Sequence, residues 1–144
     1  MKFVTNLISL TTLLAAVSAQ RVSIGYPQDG ASVKSGDSIT VEVDRPNTLS
    51  GSTEVAIVIG LQSCPTIPCH SVEDGMGFIL YNGGYNPQYH QNAPGFKPPH
   101  QNFTVSIPST AQKGKAQLGV THVSLIGAGA SPFLETLNVT LNVV

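Results

Sequence analysis

The sequence predicts an all-β protein: an antiparallel β-sandwich of the immunoglobulin or fibronectin type with about seven strands. Three observations support this prediction. Apolar and polar residues alternate with a period of two along much of the chain after residue 20, Gly, Pro and Asp turn signals separate these segments, and no segment there has the helical period. The likeness to antibody domains is architectural only, because the chain lacks tryptophan and the cysteine pair that bridges their sheets.

The first two strands are predicted at residues 22–26 and 39–43, where every second residue is Val, Ile or Tyr. The turn signals Pro-Gln-Asp-Gly and Lys-Ser-Gly-Asp lie between them. The third strand, Val55 to Leu61, is almost continuously apolar, which predicts a central strand covered on both faces. A shorter strand is predicted from Gly77 to Tyr81.

Three more strands are predicted in the C-terminal part of the chain. Segment 102–107 alternates, with its apolar residues facing inward. Residues 116–126 are apolar in both phases, and the change of phase near His122 predicts a bulge in this strand. The Gly127-Ala128-Gly129-Ala130 cluster predicts a turn, and the last strand alternates strictly over residues 137–143.

The first 19 residues have the pattern of a secretory signal peptide. Lys2 supplies a positive charge, a short apolar run follows, and the small residue Ala19 predicts cleavage before Gln20. The apolar run is too short to span a bilayer. The predicted organisation is therefore a signal peptide at residues 1–19 and a single β-sandwich domain at residues 20–144. We expect an extracellular protein that does not insert into membranes.

The charge of the chain argues against two classes of partner. Seven Lys and Arg residues stand against eight Asp and Glu residues, a net charge of −1, and the basic residues are scattered. Electrostatic binding to nucleic acid or to an anionic membrane surface is therefore not expected. We expect the protein to be a monomer.

Two kinds of covalent modification are predicted. Cys64 and Cys69 are the only cysteines, and an even number in an exported chain predicts a disulfide between them, which would stabilise a local turn. The sequons Asn-Phe-Thr and Asn-Val-Thr predict N-glycosylation at Asn102 and Asn138. In both segments the alternation places the asparagine on the solvent-facing side of a strand.

The histidines do not have the spacing of a known metal site. They are His70, His90, His100 and His122. The H-E-x-x-H and H-x-H patterns are absent, although His90 and His100 could approach each other across a long loop and bind copper. We predict no metal and no other cofactor, and keep copper binding as a minor hypothesis.

No residue pattern predicts catalysis. The carboxylate pair Glu42 and Asp44 lies on one face of a predicted strand, and Glu73 and Asp74 lie in a turn. Both pairs are expected to be solvated rather than arranged as the two acids of a glycosidase. A G-x-S-x-G nucleophile elbow is absent. The sequence therefore predicts a protein that is not an enzyme.

Segment 80–108 contains a long loop that is the strongest functional signal in the sequence. Loops of this length are uncommon in compact domains, and this one is rich in Tyr, Asn, Pro and His. We interpret it as a binding face. The side chains predicted to contact a partner are Tyr81, Tyr85, Tyr89, His90, Phe96 and His100.

Two expectations follow for these aromatic residues. Tyr81 and Phe96 have the alternative of folding back onto the sandwich. Replacing Tyr85 and Tyr89 with alanine is expected to abolish partner binding while leaving thermal unfolding nearly unchanged. The same tyrosines could stack on sugar rings, so a cell-wall or carbohydrate-binding module without catalytic activity is the alternative function.

Several motifs along nearly the whole predicted domain resemble a known family. They are VEVDRP at 41–46, GSTEVA at 51–56, LQSC at 61–64, LYNG at 80–83, YNPQYH at 85–90, PPHQNFTV at 98–105, AQLGV at 116–120 and LETLNVT at 134–140. With these motifs the chain resembles the fungal necrosis-inducing secreted effector family.

The resemblance implies a non-enzymatic effector that suppresses pattern-triggered immunity in plants and induces host cell death. It implies two partners, a plant immune co-receptor kinase and a receptor-like cytoplasmic kinase, whose signalling the effector lowers. No binding residue is carried over from the family. A disulfide and two glycans belong to the secretory route whereas kinase domains lie in the cytosol, so the resemblance also implies either entry into host cells or a target elsewhere.

Overall fold

The computed structural model describes residues 21–91, 95 and 97–144, and these form two β-sheets. The predicted signal peptide and Phe96 lie outside the described residues. The eight strands are β1 (Ser23–Tyr26), β2 (Ala31–Val33), β3 (Ser38–Asp44), β4 (Ser52–Ser63), β5 (Phe78–Gly83), β6 (His100–Ser106), β7 (Gly114–Ile126) and β8 (Ser131–Val143). The prediction of an all-β sandwich is confirmed. The described part contains no helix long and apolar enough to cross a membrane.

The two sheets have the strand orders β1-β3-β6 and β2-β8-β7-β4-β5. All neighbours are antiparallel except β2 and β8, which are parallel. The sequence did not predict β2, which has only three residues. It is held beside the last strand because Gly30 N–H donates to the Thr140 carbonyl and Thr140 N–H donates to the Asp29 carboxylate, both at 2.7 Å.

The core lies between the sheets and is built from the inward residues of the alternating segments. The largest fully buried apolar side chains are Ile57, Ile59, Leu61, Ile107, Leu118, Leu141, Val41, Val43, Val120 and Val143. Burial of each such side chain stabilises the fold by about 1.5–3 kcal/mol relative to exposure. Apart from Ile107, which follows β6, these residues occupy alternate positions in their strands, so the residues between them lie on the outer faces of the sheets, and both sequon asparagines are exposed as predicted.

The prediction that β4 is covered on both faces is wrong for its first half. Val55 is 48% exposed. The second half is covered on its outer side by residues 64–77, which we call the covering segment and which contains the predicted Cys64–Cys69 disulfide. The covering segment approaches so closely at Gly60 that a Cβ atom there would lie 2.9 Å from the Met76 Cβ atom.

The predicted bulge is present, but it lies in β4 rather than in β7. Glu54 pairs with Ser124 and Ala56 pairs with Val123, so Val55 is the extra residue, whereas β7 pairs with β8 without a break in register. The sequence of β7 only appears to change phase near His122. Val123 is apolar although it lies, half-buried, on the outer face. The bulge has a structural consequence, since it lets Glu54 face the interior of the sandwich, as bulges often re-aim a side chain.

Gly60 provides the first test of this packing. We expect Gly60→Ala to lower the free energy of unfolding by about 1–3 kcal/mol, because the new methyl group must displace the Met76 backbone. Gly75→Ala is the matched control within the covering segment, since a Cβ there meets nothing within 4 Å, and it should change stability by less than about 0.5 kcal/mol. Urea denaturation followed by circular dichroism measures both. Equal stability of the two variants would contradict the described packing of the covering segment.

Candidate functional site

The loop between β5 and β6 begins with a buried tyrosine rather than an exposed one. Tyr85 is 4% exposed, and its hydroxyl donates a hydrogen bond to the Val43 carbonyl at 3.1 Å. Its ring centroid lies 5.3 Å from that of His122 in an edge-on arrangement and 6.3 Å from that of Phe103. The expectation that Tyr85 lies on the exposed face is therefore wrong, because the ring fills a place in the core between the sheets.

Two other predicted contact residues also face the sandwich. The Tyr81 ring lies 4.6 Å from the Phe103 ring, and its hydroxyl donates to the Gly84 carbonyl at 2.9 Å, so Tyr81 folds back onto the domain. His100 is buried at the start of β6. Its backbone exchanges two hydrogen bonds of 3.0 Å with Gln88, which ties the middle of the loop to the edge of the small sheet.

Tyr89 and His90 are the predicted contact residues that remain exposed in the described part of the loop. Tyr89 is 63% exposed, and the Asn47 amide donates a hydrogen bond to its hydroxyl. Both border an open groove of about 480 Å³, which we call the loop groove. Its lining includes Asn47, Tyr89, His90, Gln91, Lys97 and Pro98. A second groove of about 480 Å³ adjoins it and shares Pro46 and Asn47.

His90 and His100 do approach each other, with their ring centroids 4.5 Å apart. The Nδ1 atom of His100 lies 2.9 Å from the Pro98 carbonyl, and its Nε2 atom lies 3.8 Å from the Glu42 carboxylate. Among the described residues, however, no three His, Cys, Asp or Glu side chains form a group that could hold a metal ion. The copper hypothesis therefore gains two neighbouring imidazoles and no third ligand from this part of the chain.

Glu42 and Asp44 are less solvated than the sequence predicted. Glu42 is buried and pairs with the Lys97 ammonium at 2.5 Å, which fastens the end of the loop to the outer face of the small sheet. Burial and the neighbouring Glu42 charge raise the pKa of Asp44. Both carboxylates lie over Gly25, where a Cβ atom would come within 2.7 Å of an Asp44 oxygen. Glu42 and Asp44 therefore have a structural role and do not form an open acidic cleft.

A buried ionic network that the sequence analysis missed lies between the sheets. His122 is fully buried, and its Nδ1 and Nε2 atoms lie 3.0 Å from Glu135 and 2.5 Å from Glu54. Since both neighbours are carboxylates, both ring nitrogens act as donors and the ring is an imidazolium. Arg45 completes the network with a 2.9 Å ion pair to Glu54, and Glu135 also accepts a hydrogen bond from Val22 N–H.

The electrostatics of this network follow from burial and pairing. Burial opposes ionisation of Glu54, but hydrogen bonds from His122, Ser52 and Arg45 outweigh it and lower the pKa of Glu54 to about 2. Burial likewise opposes protonation of His122, and the hydrogen bonds to Glu135 and Glu54 outweigh it, so that the pKa of His122 is raised. Each charge in the network has an opposite charge in contact with it.

Signals for this network were present in the sequence. His122 shares its phase with Leu118 and Val120, and Glu135 shares its phase with Leu137, so both were placed to face inward. Glu54 has no such signal, because only the bulge at Val55 turns it inward. The guanidinium of Arg45 has a structural role, since it also donates a hydrogen bond to Ser52 Oγ at 2.7 Å.

Comparison with known proteins extends these observations. A model described as the Nis1 family matches residues 17–142. "Necrosis-inducing secreted protein 1" of Colletotrichum orbiculare is 28% identical over 145 residues, which cover 99% of this chain and 81% of that protein. The protein of the same name in Colletotrichum higginsianum is 24% identical over 143 residues, which cover 99% of this chain and 91% of that protein. The resemblance drawn from the motifs is thereby confirmed.

Solved structures give a weaker match. A superoxide reductase (neelaredoxin) from Ignicoccus hospitalis aligns with a TM-score of 0.47 at 14% identity, covering 89% of this chain and 86% of that one. A second structure of a superoxide reductase from the same organism aligns with a TM-score of 0.44. Similarity at this level carries no conclusion about activity.

Replacement of the buried Tyr85 and replacement of the exposed Tyr89 should have very different effects on stability. We expect Tyr85→Ala to lower the free energy of unfolding by about 3 kcal/mol or more, because it leaves a cavity beside Phe103 and His122. Tyr89→Ala should change it by less than about 0.5 kcal/mol. Chemical denaturation followed by circular dichroism suits a chain without tryptophan. A Tyr85→Ala protein as stable as the parent would contradict the buried position of this ring.

The ionic network predicts how stability depends on pH. Because the pKa of His122 is raised in the folded state, its contribution is complete below its ordinary value of 6.5 and is lost as the pH rises through the folded pKa. Because the pKa of Glu54 falls from 4.5 to about 2, its contribution is present above pH 4.5 and is lost as the pH falls towards 2. The free energy of unfolding should therefore be highest between about pH 4.5 and 6.5.

Denaturation curves from pH 2 to pH 9 measure this profile. His122→Gln should remove the decline on the alkaline side, whereas His70→Gln, at an exposed histidine, should keep it. A parent protein whose stability does not change between pH 6 and pH 9 would show that His122 is not held as an imidazolium.

Proposed function

The chain belongs to the Nis1 family, and on that premise we propose that it is a secreted fungal effector that induces necrosis in plant tissue. The match across residues 17–142 is the observation that carries this proposal, together with two relatives that are both named necrosis-inducing secreted proteins. Secretion is further supported by the signal-peptide pattern of residues 1–19.

The finer proposal is that the protein binds a plant immune co-receptor kinase and a receptor-like cytoplasmic kinase and lowers their signalling, thereby suppressing pattern-triggered immunity. The protein is not an enzyme in this proposal. It acts by occupying a surface of the kinase, and it needs no bound cofactor. It reaches such a target either by entering host cells or by meeting a kinase-bearing receptor from the outside.

The loop groove is the surface best suited to this contact. Tyr89 offers a large exposed ring whose hydroxyl is held by Asn47, so little conformational freedom is lost when a partner covers it. The base of the loop is fixed, because Lys97 is paired with Glu42 and Gln88 is hydrogen-bonded to His100. A preformed position for an aromatic side chain is typical of an interface hot spot.

The alternative proposal places a carbohydrate in the same groove. An exposed tyrosine bordered by the amides of Asn47 and Gln91 is suited to stack on a sugar ring while the amides bond its hydroxyls. The protein would then be a wall-binding module without catalytic activity. Retention of the protein on chitin, β-glucan or cellulose would favour this alternative.

A matched pair of tyrosines tests the kinase proposal. Tyr26 is 51% exposed on β1 and does not line the loop groove, so it serves as the control for Tyr89. We expect residues 20–144 to bind the kinase domain of a plant immune co-receptor saturably and to reduce its phosphorylation of a substrate. Tyr89→Ala should weaken binding at least about tenfold, roughly 1.4 kcal/mol, whereas Tyr26→Ala should bind as the parent does.

Kinase activity, measured in parallel, shows whether binding also reduces phosphorylation. If Tyr89→Ala and Tyr26→Ala affect binding equally, the loop groove is not the contact surface, although the kinase remains the partner. Absence of binding at tens of micromolar, weaker than about −6 kcal/mol, would contradict the kinase proposal itself. Retention on a wall polysaccharide in that case would establish the alternative.

A further inference from the structure

An apolar, uncharged strip lies on the outer face of the large sheet, at the end formed by the β7–β8 hairpin. Its central row runs from Ala56 through Val123 to Leu134, and Leu125 and Pro132 form the next row of cross-strand neighbours. Leu134 is 63% exposed, and Val55 in the adjacent bulge is 48% exposed. We call these side chains the apolar strip.

The covering segment protects only the other part of this face. Its Val72 and Met76 side chains pack over Gly119 and Gly60, and Thr136 donates to Glu73 at its margin. Beyond Thr136, no described part of the chain covers Leu134. An antiparallel sheet that faces solvent ordinarily presents polar residues, and an exposed apolar patch favours association.

Asn138 lies on the same strand and the same face as Leu134. The two residues are four positions apart, about 13 Å along β8, and the cross-strand neighbour of Asn138 is Gly119, which Val72 covers. Asn138 is exposed, and the described residues show no hydrogen bond to its side chain. The middle residue of the sequon, Val139, packs against the core, which leaves Asn138 and Thr140 on the outer face. On its other side β8 pairs with β2 only at residues 141–143, and Gly30 and Asp29 bond to Thr140, so no described strand pairs with Asn138 there.

We propose that Asn138 carries an N-linked glycan that covers the apolar strip and keeps the protein monomeric. The glycan is bulky and strongly hydrated, and it would reach the apolar strip from the margin of the covering segment, about 13 Å along β8. It would cover the part of this face that the covering segment leaves open. This inference does not depend on kinase binding.

The modification is a glycosyl transfer that takes place in the secretory route. The Asn138 amide nitrogen forms a bond to the anomeric carbon of an oligosaccharide carried by a lipid-linked diphosphate donor. The bond between that carbon and the diphosphate oxygen breaks, the lipid diphosphate leaves with the electron pair, and the amide proton passes to a base of the transferase. No oxidant or reductant takes part.

Asn102 provides the matched control. It lies on the outer face of the small sheet, where its cross-strand partner is Glu42 and where Thr104 pairs with Thr40. These direct neighbours are polar, and beyond Glu42 the row continues to the single ring of Tyr26, so a glycan at Asn102 has no apolar strip to cover. Loss of the Asn102 glycan should therefore leave the oligomeric state unchanged.

The experiment uses residues 20–144 secreted from a eukaryotic host, as the parent and as Asn138→Gln, Thr140→Ala and Asn102→Gln. Intact mass gives the number of glycans, and sedimentation over a range of concentrations gives the association state. We expect a monomeric parent with two glycans and one fewer glycan in each variant. Asn138→Gln and Thr140→Ala should associate at about tenfold lower concentration than the parent, an effect that exposure of one leucine can supply.

Two further samples keep the result independent of folding defects. Enzymatic trimming of the folded Asn102→Gln protein removes the Asn138 glycan alone and should produce the same association. Leu134→Lys combined with Asn138→Gln should restore the monomer. The proposal is overturned if the parent carries no glycan at Asn138, if trimming leaves the protein monomeric, or if Leu134→Lys does not suppress the association.

Discussion

The rest of the structure depends on the pairing of His122 with two carboxylates in the space between the sheets. Glu54 and Glu135 flank the ring, and Arg45, at the end of β3 in the other sheet, pairs with Glu54. Removing one member of a buried ionic network leaves an uncompensated charge, at a cost of about 3–5 kcal/mol. Replacing buried pairs of this kind with apolar residues of the same size is often neutral or stabilising. We infer that their value here is specificity, because the network joins β4, β7 and β8 of the large sheet to Arg45 after β3 of the small sheet.

The same constraint explains the shape of the loop. Tyr85 packs edge-on against His122 and closes the network from one side, so the first residues of the loop belong to the interior. Gln88 and Lys97 then fasten the middle and the end of the loop to the small sheet. What remains for a partner is a short exposed section around Tyr89. The loop therefore combines a fixed base with a narrow contact surface, and its aromatic content serves both.

Strict alternation predicted every strand that displays it, and the turns between them followed from Gly, Pro and Asp. The strand β2 could not be predicted, because three residues carry no period and its partner lies at the far end of the chain. The inward-facing residues of β7 could not be identified from the sequence, because Val123 and Leu125 on its outer face are also apolar and so suggested a bulge. Of the predicted contact residues, Tyr85 was misplaced because a loop has no periodicity that separates buried from exposed side chains. Exposure of Tyr89 depends on where the loop is tied down, which only the three-dimensional structure reveals.

The parallel pairing of β2 with β8 determines the order in which the domain can assemble. Residues 31–33 find their partners at residues 141–143, and Val22 N–H finds its acceptor at Glu135, so the beginning of the chain is completed by its end. Contacts of such wide separation in sequence close late and slowly. The N-terminal strands must remain unfinished until the last residues have been synthesised. A chain interrupted before β8 would therefore lack more than an edge strand, because the acceptors for its own first residues would be missing.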